Sequence, residues 1–222
     1  MEKYELTSET KVINGVELHR IKALNSFGNI KKGELGGWIE SEKNLSQYEN
    51  AWVCDNASVF GHAWVEGNAT VSGNAKVCGN AMVGGNATVS GNATVSGNAT
   101  ISGHSEVREN ATVCGNAKVY GNAIICENAT VSDNAIICEN ATISGNAKVR
   151  RKKDFIVFKN WWSSGRYFTW TRSNNKWKVD CFYGSGEELI AKAYKDSEKS
   201  GREYERVVKY VESILKEEDN GN

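Results

Sequence analysis

The sequence predicts a mainly β protein: a parallel β-helix of five to six coils, preceded by a β-rich cap and followed by a small α+β domain. Three observations carry this expectation. From Tyr48 to Val149 the chain repeats one hexapeptide, x-[Gly/Asp/Glu]-Asn-Ala-x-[Val/Ile], seventeen times without insertion or deletion. The sixth position is Val or Ile in every unit, and the fourth is Ala in every unit except at Ser105. The third position is Asn except at His62 and His104.

Each unit reads as a short strand and a corner. Positions four and six lie two apart, so a strand points both to one side and positions five and one to the other. The first pair is apolar and small; the second is mostly Thr, Ser, Lys and Cys. Glycine at position two and asparagine at position three tolerate the left-handed backbone that a corner needs. At about 4.8 Å between neighbouring strands, seventeen units at three per coil make a prism about 27 Å long.

The aliphatic residue with a small residue four positions on, as in Val71 and Ala75, resembles the left-handed β-helix proteins of the hexapeptide-repeat class, which include many bacterial acyltransferases. The resemblance covers 102 of 222 residues. It implies left-handed triangular coils of eighteen residues and a homotrimer packed along the prisms. Stacking every eighteenth residue then sorts the outward residues into three faces. One carries Trp52, Thr70, Thr88, Glu106, Ile124 and Thr142. The next carries Ser58, Lys76, Thr94, Thr112, Thr130 and Lys148, and the third carries Trp64, Met82, Thr100, Lys118 and Ile136. Trp64, Met82, Tyr120, Ile124 and Ile136 are large apolar groups in outward positions, and are the expected oligomer-interface residues.

Residues 1–47 read as a cap. Val12-Ile13 and Val16-Glu17-Leu18 flank Asn14-Gly15, a hairpin signature. Gly33 to Ile39 is glycine-rich and apolar, and Glu42 to Gln47 is a degenerate repeat with Asn44 in the corner slot. An open coil end exposes core and unpaired strand edges, so it requires cover.

Residues 150–222 form the predicted α+β domain. Asp154 to Phe158 reads as a strand, and Tyr167 to Tyr183 as a hairpin around Ser173-Asn174-Asn175. Two helices follow, with Ser185/Glu188 and Ser200/Glu203 as expected capping boxes. Residues 150–181 hold nine basic and two acidic side chains interleaved with aromatics. Aromatic faces stack on bases and cations meet phosphates. Trp161, Trp162, Arg166, Tyr167, Trp170, Arg172 and Lys178 are therefore the ligand-binding candidates. The competing reading puts the tryptophans in the core of a small domain, which needs large apolar groups.

Composition excludes several functions. Net charge is zero, from 27 basic and 27 acidic groups, although residues 1–149 carry −4 and residues 150–222 carry +4. No apolar run reaches the length of a membrane span, and the start lacks a signal-peptide layout, so no membrane partner is expected. Five of the six cysteines occupy position one of the repeat. Cys78 and Cys114 share a column but are separated by Ser96, beyond disulfide reach. Reduced thiols and a cytoplasmic address are expected.

No catalytic constellation is legible, and no cofactor or metal is expected. Glu127, Asp133 and Glu139 occupy consecutive corners and so fall on three different edges. The acyltransferase resemblance implies a loop thrown from the helix and a histidine base, yet the repeat has no insertion and His62 and His104 stand in corner asparagine slots. Threonine rows resemble those of ice-binding proteins, but Lys76, Glu106, Lys118 and Lys148 interrupt them, so an ice-binding face is not expected. The segments Lys3 to Thr7, Lys31 to Ile39 and Phe158 to Arg166, with the repeats between, resemble uncharacterised bacteriophage and prophage proteins labelled polymer-forming or hexapeptide transferase-like. That resemblance implies a non-catalytic, phage-encoded oligomeric binding protein acting on host machinery or defence. It would mask a host protein or sequester a nucleotide-type small molecule; nucleic acid is a further candidate ligand of the C-terminal domain. The alternatives are an acyltransferase and a polymer-forming scaffold.

Overall fold

The computed structural model describes residues 2–220. Met1 and Gly221–Asn222, the outer limits of the predicted cap and C-terminal domain, lie outside the described residues. The chain divides into two compact units, the first ending at Asp154 and the second beginning at Phe155.

Unit 1 is a parallel β-solenoid of about six turns. Its two-residue strands begin at Trp52–Val53 (β4) and recur every six residues to Lys148–Val149 (β20). Every third strand pairs in parallel, in register, with the one eighteen residues on: Thr94 lies beside Lys76 and Thr112, and Val95 beside Val77 and Val113. The three predicted faces are the three sheets. Inward Ala and Val or Ile side chains are fully buried along the whole solenoid. Ser105 fits the alanine slot because its hydroxyl donates to the Ser102 carbonyl at 2.7 Å.

The corners explain the Gly-Asn spelling. Gly97 has φ +70°, and a Cβ built there would lie 2.8 Å from the Gly115 carbonyl oxygen of the next turn. The asparagines stack as ladders: Asn56, Asn74, Asn92, Asn110 and Asn128 pass amide-to-amide hydrogen bonds of 3.0–3.3 Å from turn to turn. His104 keeps a place in such a ladder, its Nε2 3.4 Å from Asn86 Nδ2.

The cap is fused to the solenoid sheet. Strands β1 (Tyr4–Ile13) and β2 (Val16–Ala23) form the hairpin around Asn14-Gly15. Strand β3 (Leu35–Ile39) pairs antiparallel with β2 and parallel with β5 (Ser58–Val59), making a nine-stranded sheet. Gly36 permits this because an added Cβ would meet Ile21 Cγ1 at 2.5 Å and the Val53 carbonyl at 2.6 Å. The degenerate unit is the first rung of its column: Leu45 bridges Val65, and Asn44 Nδ2 donates to the carbonyls of Gly61 and Ala63. At the other end Asp154 Oδ2 accepts from the Arg150 and Arg151 backbone amides at 2.8 and 3.0 Å.

Lys3 places a charge inside the cap. It is buried, its ammonium donating to the Ala51 and Tyr48 carbonyls and sitting 5.2 Å from the Phe27 ring centroid. Burial lowers its pKa to about 8, against a smaller opposing effect of Glu49. The folded pKa is below the unfolded one, so below pH 8 folding carries the full cost of the buried charge, and that cost is relieved as pH rises toward 10.5. Between pH 7 and 10 the stability of the wild type relative to Lys3→Met is expected to rise by about 2 kcal/mol. Urea unfolding of both proteins across that range measures it; a difference that stays flat refutes it.

Among the described residues none of the six cysteines is in a disulfide. Burial pushes the Cys54 thiol up to about 11 and raises that of Cys78. No helix of the described residues is long and apolar enough to cross a membrane.

Unit 2 packs two helices on one face of a four-stranded antiparallel sheet. The strands are β21 (Phe155–Lys159), β22 (Tyr167–Thr171), β23 (Lys176–Val179) and β24 (Phe182–Gly184), hydrogen-bonded in that order. β24 adds a strand to those predicted. The helices are α1 (Gly186–Asp196) and α2 (Glu198–Asn220). Ser185 and Glu188 form the expected capping box. The expected box at Ser200/Glu203 is corrected. The helix starts earlier, and Ser197 Oγ accepts from the Ser200 amide at 3.1 Å, because a serine at the junction can end α1 and cap α2 at once. Trp162, Phe168, Trp170, Trp177, Leu189, Tyr204, Val208 and Val211 form its core.

Candidate functional site

A solenoid filled with Val, Ile and Ala has no interior for a ligand, so its chemistry lies on the outer faces. The sheet built from β6, β9, β12, β15 and β18 presents Trp64, Met82, Thr100, Lys118 and Ile136 in one row. Position one of the unit that follows each of these adds Glu66, Gly84, Ser102, Tyr120 and Cys138. Met82 is 43% and Tyr120 41% exposed, while Trp64 and Ile136 are half-buried. The Trp64 indole donates to Glu66 Oε2 at 2.9 Å, and the Cys138 thiol beside Tyr120 holds its phenol above the ordinary value. Four of the five predicted interface residues thus share one face; Ile124 lies on another sheet, between Glu106 and Thr142. The threonine rows are half-buried, and Lys76, Glu106, Lys118 and Lys148 are exposed where they interrupt them.

In unit 2 the seven predicted ligand residues do not converge. Trp162 and Trp170 are core residues, 9% and 1% exposed; Trp162 packs edge-to-face with Phe168 and Tyr204, and Trp170 stands opposite Trp177 on the next strand. As stacking platforms they are withdrawn. Trp161 is 75% exposed. The two adjacent tryptophans lie in a turn rather than a strand. Asn160 builds that turn: its Oδ1 accepts from the Ser163 amide and hydroxyl at 3.0 Å, its carbonyl from Gly165, and its own amide donates to the Arg166 carbonyl. Lys159 sits over the exposed Tyr167 ring at 5.6 Å. Arg172 pairs with Glu218 at 2.7 Å and leans on the Trp170 ring. Lys178 is half-buried on β23, opposite Tyr183 and Thr169.

Of the seven, Arg166 alone lines a cleft of about 240 Å³ in unit 2. The Asn160 turn, the β23–β24 turn, α1 and the first residues of α2 wall it. Arg166 pairs with Asp180 at 2.5 Å on the rim, where Lys192 and Asp196 also stand. Phe182, Val179, Leu189 and Ala193 give an apolar wall, and Lys192 Nζ lies 5.8 Å from the Phe182 ring centroid. The deep polar groups are Asn160, Ser200 and Tyr204, all buried. Asn160 Nδ2 donates to the Tyr204 hydroxyl at 3.1 Å. Burial raises that phenol's pKa, against the lowering effect of the Asn160 bond. No local pattern in the sequence unites Tyr204 with Asn160, Lys192, Asp196 and Ser200.

These features define a β-solenoid protein joined to a small α+β unit with a polar cleft. Residues 59–191 match the family model described as "Putative Ice-binding-like adhesive domain", and the chain belongs to that family. The matched span takes in most of the solenoid, the sheet of unit 2 and half of α1. No curated protein matches the chain.

Proposed function

We propose that this is a non-catalytic adhesive binding protein. Its solenoid is a rigid scaffold that self-associates into a homotrimer, and its second unit carries the ligand cleft. The carrying observation is the face on which Met82 and Tyr120 stand exposed beside Trp64 and Ile136, over a core that has no room to take them in. Large apolar groups aligned on a flat, rigid face favour a partner of the same shape. The family description supports the adhesive part of this reading. Its ice-binding likeness is not carried over, because four exposed charges break the threonine rows. The narrower expectation, a phage protein that blocks host defence by masking a protein or sequestering a nucleotide, draws no support from that description.

Light scattering on the purified protein tests the assembly. The expected mass is three times the 24.4 kDa of one chain. Met82→Glu combined with Tyr120→Glu should give single chains with an unchanged β circular dichroism spectrum, since both side chains point away from the core. A monomeric wild type, or a double variant that stays trimeric, would sink the assembly.

A further inference from the structure

We propose that the cleft of unit 2 binds one neutral sugar ring, such as the terminal residue of a glycan; this rests on the reading that the protein binds its ligand rather than transforming it. Three features of the cleft select that ligand class. Its size comes first. About 240 Å³ is below the ~300–1,000 Å³ typical of clefts that enclose drug-sized ligands. A single six-membered ring is of the right order, whereas a nucleotide, with base, ribose and phosphate, is too large to be enclosed.

The charge pattern comes second. Two cations, Arg166 and Lys192, are matched by two carboxylates, Asp180 and Asp196, and Arg166 is already held by Asp180. A phosphate placed here would face both carboxylates, and like charges at short range repel. A hydroxyl both donates and accepts, so a polyhydroxyl ligand suits a rim that offers carboxylate acceptors beside ammonium and guanidinium donors. Ser164 and Ser200 add hydroxyls that serve either way, and Ser163 Oγ, whose proton goes to Asn160, can still accept.

The third feature is the contrast between the wall and the deep end. Phe182, Val179, Leu189 and Ala193 offer an apolar surface to the C–H face of a pyranose. At the deep end the Tyr204 oxygen accepts from Asn160, and Asn160 spends its own oxygen on Ser163, so what this pair has left to give is the Tyr204 proton and the second Asn160 Nδ2 proton. A buried donor of this kind rejects a ligand that lacks an acceptor at that point.

The test is ligand-detected NMR and calorimetry on the full chain with glucose, galactose, mannose, N-acetylglucosamine and AMP as probes. At least one sugar is expected to bind, and more tightly than AMP. Asp196→Asn, an exposed change, and Tyr204→Phe, a buried one, should each weaken that binding at least tenfold, about 1.4 kcal/mol. The first should leave the melting temperature within about 2 °C of wild type, so that its loss of binding is not a loss of fold. No sugar binding at concentrations up to about 20 mM, equal binding by Asp196→Asn, or AMP bound in preference to every sugar overturns the inference. A trimer that binds no sugar removes this inference and leaves the adhesive reading standing. A sugar released as a different product shows turnover and removes both.

Discussion

Ala99→Leu is expected to lower the melting temperature of the solenoid by about 5–10 °C and to broaden its unfolding, because three added carbon atoms enter a column with no free volume. Ala99 is fully buried, and the backbone holds the turns together on both sides of it: its carbonyl accepts from Met82, and Thr100 donates to Ala117, each at 2.9 Å. The neighbouring turns present Ala81 and Ala117 to the same column, both also fully buried. Overpacking of this kind costs about 1–3 kcal/mol, and more where the backbone cannot yield. In a stacked architecture each turn is stabilised by its neighbours, so a turn forced open weakens both. Ala99→Ser is the matched control. Ser105 already occupies an equivalent slot with its hydroxyl on the carbonyl three residues back, so serine at position 99 should melt near the wild-type temperature. Thermal circular dichroism of the three proteins decides the matter, and a wild-type melting curve for the leucine variant would contradict the packing described here.

Trp170→Ala is expected to unfold unit 2 and leave the solenoid standing. The indole is 1% exposed, pairs across strands with Ile156 and Trp177, and donates to Asn175 Oδ1 at 2.9 Å, which pins the β22–β23 turn. Truncating a buried tryptophan costs about 3–5 kcal/mol, and a unit of this size has a net stability of the same order. Unit 2 has an aromatic core of its own, so its loss need not propagate. Hydrogen exchange followed by mass spectrometry should show protection lost from Phe155 onward and retained from β4 to β20. Retained protection in both units would show that Trp170 is dispensable to the core.

The solenoid was legible because its constraint is local and repeated. Whether a residue faces in or out follows from its place in the hexapeptide, and which residues share a face follows from counting eighteen. That arithmetic puts Trp64, Met82 and Ile136 in one row, and Tyr120 in the row beside them. It also separated Cys78 from Cys114. It did not reveal that Trp52 is buried, since the cover comes from Phe27, whose ring lies 5.3 Å away and 25 residues earlier. The helix junction was misplaced for a related reason. Ser200/Glu203 and Ser197 are both good capping spellings, and packing of α1 against α2 chose between them.

The second unit was harder to read. A run of tryptophans and cations is compatible with a core or with a recognition surface, and only packing distinguishes them. Trp161 and Trp162 are neighbours in sequence, yet one is exposed and the other buried, because the Asn160 turn aims them differently.

By itself the sequence determined the repeat, the three faces, the filled interior and the presence of a separate α+β unit, since each follows from periodicity or from the apolar spacing of single elements. Only the tertiary structure decided which aromatics are core, how the cap joins the solenoid sheet, and where the cleft lies. The cleft draws its side chains from the Asn160 turn, the β23–β24 turn and both helices. A site assembled from segments that distant leaves no mark on any one of them, because the packing that brings them together belongs to the folded unit and not to any single segment.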